Sequence, residues 1–448
     1  MQKVSIVLPD GAKTIIEKLN SLGFEAYAVG GCVRDAILGK TPDDWDITTS
    51  ALPNVVADAF SYTTVIPTGI KHGTVTVRLN GKNYEVTTFR TESEYKDSRH
   101  PEKVGFVRDL KEDLKRRDFT INAMAYSEKD GLIDLFGGLS DIENKKIRAV
   151  GDPKERFSED ALRILRGVRF SSVTGFDIEE NTLKAMNEKK ALLKNISAER
   201  IFVEIDKMLL GDYVDKALFT APQVVFEVFP ELEKSYGFSQ RSKWHLYDVY
   251  THTVIATKSV AKKRELKWCM LLHDVAKPEK FFLDDKGEGH FYGHPERSKE
   301  IAEKIFERLK FPTRLKNYTL SLIENHDKYL PTERAKLKKV LCDLGKEQVL
   351  DLFEIKRADN TAQGTKLAFA ESEKLVEIEE IVKDIIGSGE CYTLKDLLIT
   401  GEDLIGLGYS GKEIGNTLNA ILQDVINGNI PNDKQRLIKS AIRRKTGL

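Results

Sequence analysis

The apolar periodicity of the chain changes near Val150, and that change limits the folds open to it. Up to that point strands and helices alternate. Ile15 to Leu22 has the spacing of an amphipathic helix, Ala26 to Val29 is a short apolar strand running into Gly30-Gly31, and Val33 to Leu38 opens a second helix. Thr74 to Leu79 and Tyr84 to Phe89 alternate about the turn dipeptide Asn80-Gly81, a hairpin signature. From Lys154 the apolar residues recur at helical spacing, through Ala161 to Phe170, Ser197 to Leu210, Val249 to Val260 and Glu300 to Leu309. The expected class is α+β, with a mixed head and a helical remainder. At 448 residues the chain exceeds one ordinary core, so roughly three or four domains are expected, with seams near Gly151, Gly211 and Gly387.

Charge and compartment narrow the function. Lys and Arg total 70 and Asp and Glu total 70. Such a balance disfavours an indiscriminate nucleic-acid binder, which is normally basic overall. It leaves room for a chain whose acidic sites and basic surfaces lie apart. The first twelve residues lack a secretory pattern, and no apolar run approaches a membrane span. Cys32, Cys269, Cys342 and Cys391 lie far apart with no Cys-x-x-Cys pair, which suits reduced thiols. A cytoplasmic protein with no membrane partner is expected; the oligomeric state is left open.

The chemistry of the head starts at Asp43-Asp44-Trp45-Asp46. On a strand, Asp44 and Asp46 would project to the same face. Two neighbouring carboxylates repel unless a cation lies between them, and Mg²⁺ takes one or two carboxylates together with substrate phosphates. Glu85, in the following hairpin, offers a third carboxylate. About a dozen residues before the pair, Gly30-Gly31 stand between a strand and a helix start, where glycines permit close approach and free N–H groups bind phosphate. Alone, each element has a plainer reading, a surface turn or a tight bend. Together they describe a triphosphate beside a metal pair that activates an attacking hydroxyl.

These residues resemble a known family. Gly30-Gly31-x-Val33-Arg34-Asp35-x-x-Leu38-Gly39 with Asp44-Trp45-Asp46 resembles the head of polymerase-beta-like nucleotidyltransferases. More narrowly, it is similar to class II tRNA nucleotidyltransferases (CCA-adding enzymes) and bacterial poly(A) polymerases. The resemblance extends through Glu85 to Arg90, Arg116-Arg117-Asp118 to Ala123, Glu155 to Arg166 and Ser197 to Ile201. It implies a catalytic head over residues 1–150, with a mixed sheet and helices. An elongated all-α remainder would follow: a neck with a base-selecting helix (151–211), a body (212–386) and a tRNA-binding tail (387–448). It also implies Asp44, Asp46 and Glu85 as catalytic residues, the aspartates holding Mg²⁺. Gly30, Gly31, Arg34, Arg116, Asp118, Asn122, Asp160, Arg163 and Arg166 would bind nucleotide, with CTP, ATP and a tRNA 3′ end as partners.

Asp160 and Arg163 are three apart on a predicted helix and so share a face. The plain reading is an intrahelical ion pair. The resemblance implies a protein template instead. A carboxylate accepts from the exocyclic amine of cytosine or adenine while a guanidinium donates to the ring acceptors beside it. Uracil and guanine each present a ring N–H to that guanidinium, and an unmatched buried donor costs about 1–3 kcal/mol. Arg90 to Pro101 is polar and breaker-terminated and reads as a mobile loop; in the family such a loop is associated with the switch from C to A addition.

Six of the eight histidines fall between His245 and His326. His252, His273-Asp274 and Asp359 follow the order seen in HD-domain phosphohydrolases, with His294 and His326 as further candidates. That resemblance implies an HD-type body with a second divalent metal and a 2′,3′-cyclic phosphodiesterase or phosphatase activity on RNA ends. At the C-terminus Lys434, Arg436, Lys439, Arg443, Arg444 and Lys445 occur without an acid, a pattern that suits a phosphate backbone. The expected activity is template-independent CCA addition. Rivals are an A-adding-only enzyme, a poly(A) polymerase, and an RNA-end phosphohydrolase with a binding-only head.

Overall fold

The structure, a computed structural model, describes residues 4–95 and 101–446. Two compact units divide the chain: Met1–Pro230 with Arg308–Lys310, and Glu231–Glu307 with Phe311–Leu448. The first opens with α1 (Asp10–Ser21), β1 (Ala26–Val29), α2 (Gly31–Ile37), β2 (Asp46–Thr49) and α3 (Pro53–Ala59), followed by β3 (Thr64–Gly69), β4 (Thr74–Leu79) and β5 (Lys82–Thr88). A seven-stranded sheet forms in the order β3-β4-β5-β2-β1, completed by β8 (Met124–Ser127) and β9 (Gly131–Asp134). Only β2 and β5 run parallel; all other neighbours are antiparallel. α1 turns Ile15, Ile16 and Leu19 into the core, and β1 is buried throughout. Between β4 and β5, Asn80 and Gly81 take φ of 51° and 77°, the left-handed pair a tight two-residue hairpin needs.

Between β5 and β8 the chain makes β6 (Arg90–Tyr95), β7 (Pro101–Phe106) and α4 (Leu110–Lys115). The stretch expected as a mobile loop is therefore mostly a two-stranded antiparallel ribbon, with Arg90 opposite Phe106 and Tyr95 opposite Pro101. Its polar residues alternate with enough β-branched and aromatic ones to pair; positions 96–100 of that reading lie outside the described residues. Helices α5 (Gly138–Glu143), α6 (Pro153–Glu159), α7 (Leu162–Thr174), α8 (Glu180–Lys189) and α9 (Ala198–Leu209) complete this unit's main elements, with α7 packed along α9.

Two expectations about local geometry fail here. β2 begins at Asp46, so Asp44 precedes the strand and strand alternation does not set its direction. Asp160 is not on a helix with Arg163: it caps α6 in an extended conformation, φ −136° and ψ 104°, before α7 begins at Leu162. Its Oδ1 accepts from the Leu162 N–H at 3.0 Å, a local bond that competes with helix continuation.

The second unit is helical. Helices Val249–Ser259, Arg264–Leu272, Thr313–Asn325 and Lys346–Gln363 pack together. The buried Trp268 ring meets Phe306 and Phe311 edge-on at 6.1 and 4.7 Å. A separate cluster including Leu404, Ile421, Leu437 and Ala441 holds helices Lys412–Ile426 and Lys434–Thr446. Among the described residues no helix is long and apolar enough to cross a membrane.

Candidate functional site

In the first unit an open cleft of about 420 Å³ gathers ten of the twelve predicted head and neck residues: Gly30, Gly31, Arg34, Asp46, Arg116, Asp118, Asn122, Asp160, Arg163 and Arg166. Gly30, at φ 82°, turns β1 into α2, and a Cβ there would lie 3.0 Å from an Arg117 nitrogen. The positive φ is what favours glycine there. Asp46 and Glu85 are register partners on the parallel strands β2 and β5; they and Asp44 are exposed. Although Asp46 keeps solvent access, partial withdrawal from water pushes its carboxyl up, Glu85 and Asp44 add to the rise, and Arg117 opposes it. Of the three carboxylates Asp46 alone lines this cleft. Asp44 lines a neighbouring hollow of about 880 Å³ beside Pro9, Arg78 and Tyr84.

A buried network sets the cationic wall. Asp118 accepts from Arg166 at 2.7 Å and from the Asn122 amide at 3.1 Å. Burial would raise its carboxyl, but Arg166, Asn122 and Arg163 together hold it well below the ordinary range. Arg34 grips Asp35 with two nitrogens at 2.9 Å and donates to Asn122 at 2.5 Å. Arg163 does not pair with Asp160. It donates to Glu159 at 2.8 Å and to the Arg116 carbonyl at 2.8 Å, while Asp160 pairs with Arg200 of α9 at 3.0 Å.

Residues without a predicted role line or support this wall. Asp113, fully buried, accepts from Arg116 at 2.8 Å, Arg117 at 3.2 Å and Thr48 at 3.1 Å. Arg200 orients Asp160. Arg169 pairs with Glu204 at 3.2 Å, and its guanidinium, with those of Arg34 and Arg166, lies 4.5–5.4 Å from the Phe170 ring. The three-residue spacing Arg163, Arg166, Arg169 carried a signal for Arg169; Asp113 carried none.

The second unit assembles the histidines. His252 comes from helix Val249–Ser259, His273 and Asp274 follow helix Arg264–Leu272, and Asp359 lies on Lys346–Gln363. His252 Nε2 is 2.9 Å from Asp359 and 3.2 Å from Asp274. His294 and His326 reach the other oxygen of Asp274 at 3.2 and 3.7 Å. Burial would lower the His273 imidazolium, but Asp274 and Asp359 raise it to about 10. Both groups have the donor types and proximity of a metal site. A cavity of about 650 Å³ opens on them, with Lys277 and His245 in its wall.

On helix Lys434–Thr446, Lys434 pairs with Asp403 at 2.9 Å, Arg444 pairs with Asp424, and Lys445 lies 4.7 Å from the Tyr409 ring centre. Arg436, Lys439 and Arg443 are exposed and make no ion pair among the described residues.

Comparison with known proteins places the whole chain. Residues 26–148 match the family described as "Poly A polymerase head domain", 175–234 "Probable RNA and SrmB- binding site of polymerase A", and 294–441 "tRNA nucleotidyltransferase domain 2". The CCA-adding enzyme of Streptococcus gordonii is 35% identical over 95% of this chain and 95% of its own. The chain belongs to the family of CCA-adding enzymes. That of Enterococcus faecalis is 37% identical over 97% of this chain and 96% of its own. The crystal structure of the Bacillus stearothermophilus CCA-adding enzyme in complex with CTP superposes with a TM-score of 0.71 at 30% identity, covering 97% of each chain. Enzymes of this family are tRNA nucleotidyltransferases and use a divalent metal such as Mg²⁺.

Proposed function

We propose that the arginine-lined cleft adds C, C and A to tRNA 3′ ends, selecting the base with Asp160 and Arg163. The observation that carries this reading is one cleft holding both a chemistry carboxylate, Asp46, and a prearranged acceptor–donor pair, Asp160 and Arg163. Asp160 accepts from the exocyclic amine shared by cytosine and adenine, and Arg163 donates to the neighbouring ring acceptors. Arg200 and the Arg116 carbonyl fix the two side chains before a nucleotide arrives, which lowers the ordering cost of selection. Arg116, Asp118, Asn122 and Arg166 bind ribose and triphosphate. Arg34 spends its nitrogens on Asp35 and Asn122 and supports the wall, and Gly30-Gly31 allow the phosphates close approach. The exposed donor set Asp44, Asp46 and Glu85, with its mutual repulsion, fits Mg²⁺. Bound there, Mg²⁺ activates the RNA 3′-hydroxyl and neutralises charge on the departing pyrophosphate.

Purified protein given tRNA ending in the discriminator base, in C or in CC, with CTP and ATP singly and together, tests the proposal. Stepwise completion to CCA is expected. Addition of A only to the CC-ended RNA would make it an A-adding enzyme, and long A tails a poly(A) polymerase.

A second reading is favoured by the convergence of His252, His273, Asp274 and Asp359. These residues hold a divalent ion for hydrolysis of a 2′,3′-cyclic or terminal phosphate on RNA. His273→Ala should abolish that hydrolysis and spare nucleotide addition; unchanged hydrolysis would refute it. Tail cations Arg436, Lys439 and Arg443 track the tRNA backbone, while Lys434, Arg444 and Lys445 hold the tail's own helices.

A further inference from the structure

We infer that an aromatic platform at the mouth of the second unit's cavity, built from Phe282, His290 and Tyr292, stacks the terminal base of a single-stranded RNA end. The inference deepens the phosphohydrolase reading above and rests on it only for the fate of the phosphate. The three ring centres stand 5.4–5.5 Å apart. The His290 plane lies 18° from that of Tyr292 and 29° from that of Phe282. Tyr292 is 74% exposed and Phe282 44%. The group therefore leaves apolar ring area in water that a flat ligand would cover.

Its neighbours hold the platform in place. Phe282 and His290 are register partners on the antiparallel strands Phe282–Leu283 and Gly289–His290. Asp284 Oδ1 accepts from the Lys286 and Glu288 N–H groups at 2.9 Å each, and its Oδ2 is 3.1 Å from His290 Nε2. Gly289 donates to the Arg241 carbonyl at 2.8 Å, and a Cβ at Gly289 would fall 2.2 Å from the Gln240 carbonyl oxygen. Phe291, between His290 and Tyr292 in the chain, meets Phe281 at 5.6 Å, and Phe281 packs edge-on against Phe238 at 5.3 Å. Rings fixed in this way lose little freedom when a base settles on them.

The cavity beside the rings indicates what covers them. His290 and Tyr292 line the cavity of about 650 Å³, a size that suits a small organic ligand. Carboxylates outnumber lysines in its lining, and Lys277 is engaged by Asp274 at 2.6 Å and Gln240 at 2.9 Å. Such a wall is unsuited to tracking a phosphate backbone. A base offers a π-face without net charge, and the bases of single-stranded RNA ends are free to stack on aromatic side chains. Among the RNA ends met by a chain of the CCA-adding family, one finished with A fits best, because a purine covers more ring than a pyrimidine.

The test uses the full chain carrying Asp44→Asn and Asp46→Asn, which stops nucleotide addition, with excess CTP filling the head cleft. The probe is the trinucleotide CCA with 2-aminopurine as its last base and a 3′-phosphate; a companion probe lacks that base. Quenching of 2-aminopurine reports stacking, and titration gives Kd. Tyr292→Ala should weaken the base-bearing probe by about 5- to 150-fold and leave the companion unchanged, while Tyr292→Phe should restore both affinity and quenching. Equal affinity of the parent for the two probes, or an unchanged Kd in Tyr292→Ala, overturns the platform. Binding should change little between low and moderate salt, and a steep dependence overturns base stacking in favour of phosphate contact. Release of phosphate is followed in the same samples. Quenching that depends on Tyr292 without release keeps the platform and removes the hydrolysis; release without dependence on Tyr292 does the reverse.

Discussion

The two units present carboxylates to cations in opposite ways. In the head, Asp44, Asp46 and Glu85 are exposed beside a wall of arginines already engaged with Asp113, Asp118, Asp35 and Glu159. In the second unit Asp274 is buried among imidazoles, with Lys277 as its one lysine partner. Exposed carboxylates hold Mg²⁺ weakly alone and gain ligands from phosphates, so the ion and the nucleotide arrive together. A buried carboxylate among imidazoles offers protein ligands enough to hold an ion without substrate, in competition with the charge of Lys277. On the readings proposed above, the head's ion would come with the nucleotide and the second unit's would be held by buried side chains.

The strongest way to break this contrast is Asp46→Asn. Nucleotide addition should fall by about a thousandfold or more, read as single-turnover rates, with hydrolysis of cyclic phosphate unchanged; a joint loss would mean that one ion serves both activities. Next in size is Asp118→Asn, which strands Arg166 and should cost roughly 3 kcal/mol of first-unit stability near pH 7. The folded Asp118 carboxyl titrates below its unfolded value, so its contribution is complete above about pH 4. It is lost as pH falls through the folded value. Melting curves should therefore show wild type and variant converging in acid, and a constant gap would remove the electrostatic account.

Arg163→Ala should relax discrimination against UTP and GTP by about 10- to 100-fold, following the 1–3 kcal/mol cost of an unmatched donor. Arg200→Ala should give a smaller loss of the same kind, since it orients Asp160 rather than touching the base. Competition assays with mixed nucleotides measure both, and an Arg200→Ala effect larger than Arg163→Ala would reverse their roles. Least is expected from Ala at Arg436, Lys439 and Arg443. tRNA affinity should weaken several-fold at moderate salt, with a shallower dependence of log Kd on log salt; an unchanged slope would move RNA contact elsewhere.

Where local chemistry dominates, the sequence was legible. Asn80-Gly81 can serve a tight hairpin, Gly30 a left-handed turn, and their strands follow. Helices with a clean apolar stripe, such as Ala198–Leu209, appeared within a residue of their expected ends. The break at Asp160 was hidden because no proline or glycine marks it. Its signal was the aspartate itself, a residue that caps as readily as it continues. Asp113 was unreadable for another reason. Its burial depends on Thr48 across 65 residues of chain and on two arginines that look like surface charges in isolation. Asp359 joined the histidines only through the packing of helix Lys346–Gln363 against Val249–Ser259.

Seven arginines and three aspartates line the head cleft, so a chain of zero formal charge presents a polyanion with a concentrated positive field. Each of these arginines is already held by a carboxylate, so a multivalent anion meets donors that need no further ordering. Pyrophosphate, the by-product of each addition, should then bind well enough to compete with the next nucleotide. Turnover by this protein would consequently depend on how quickly its surroundings clear that by-product.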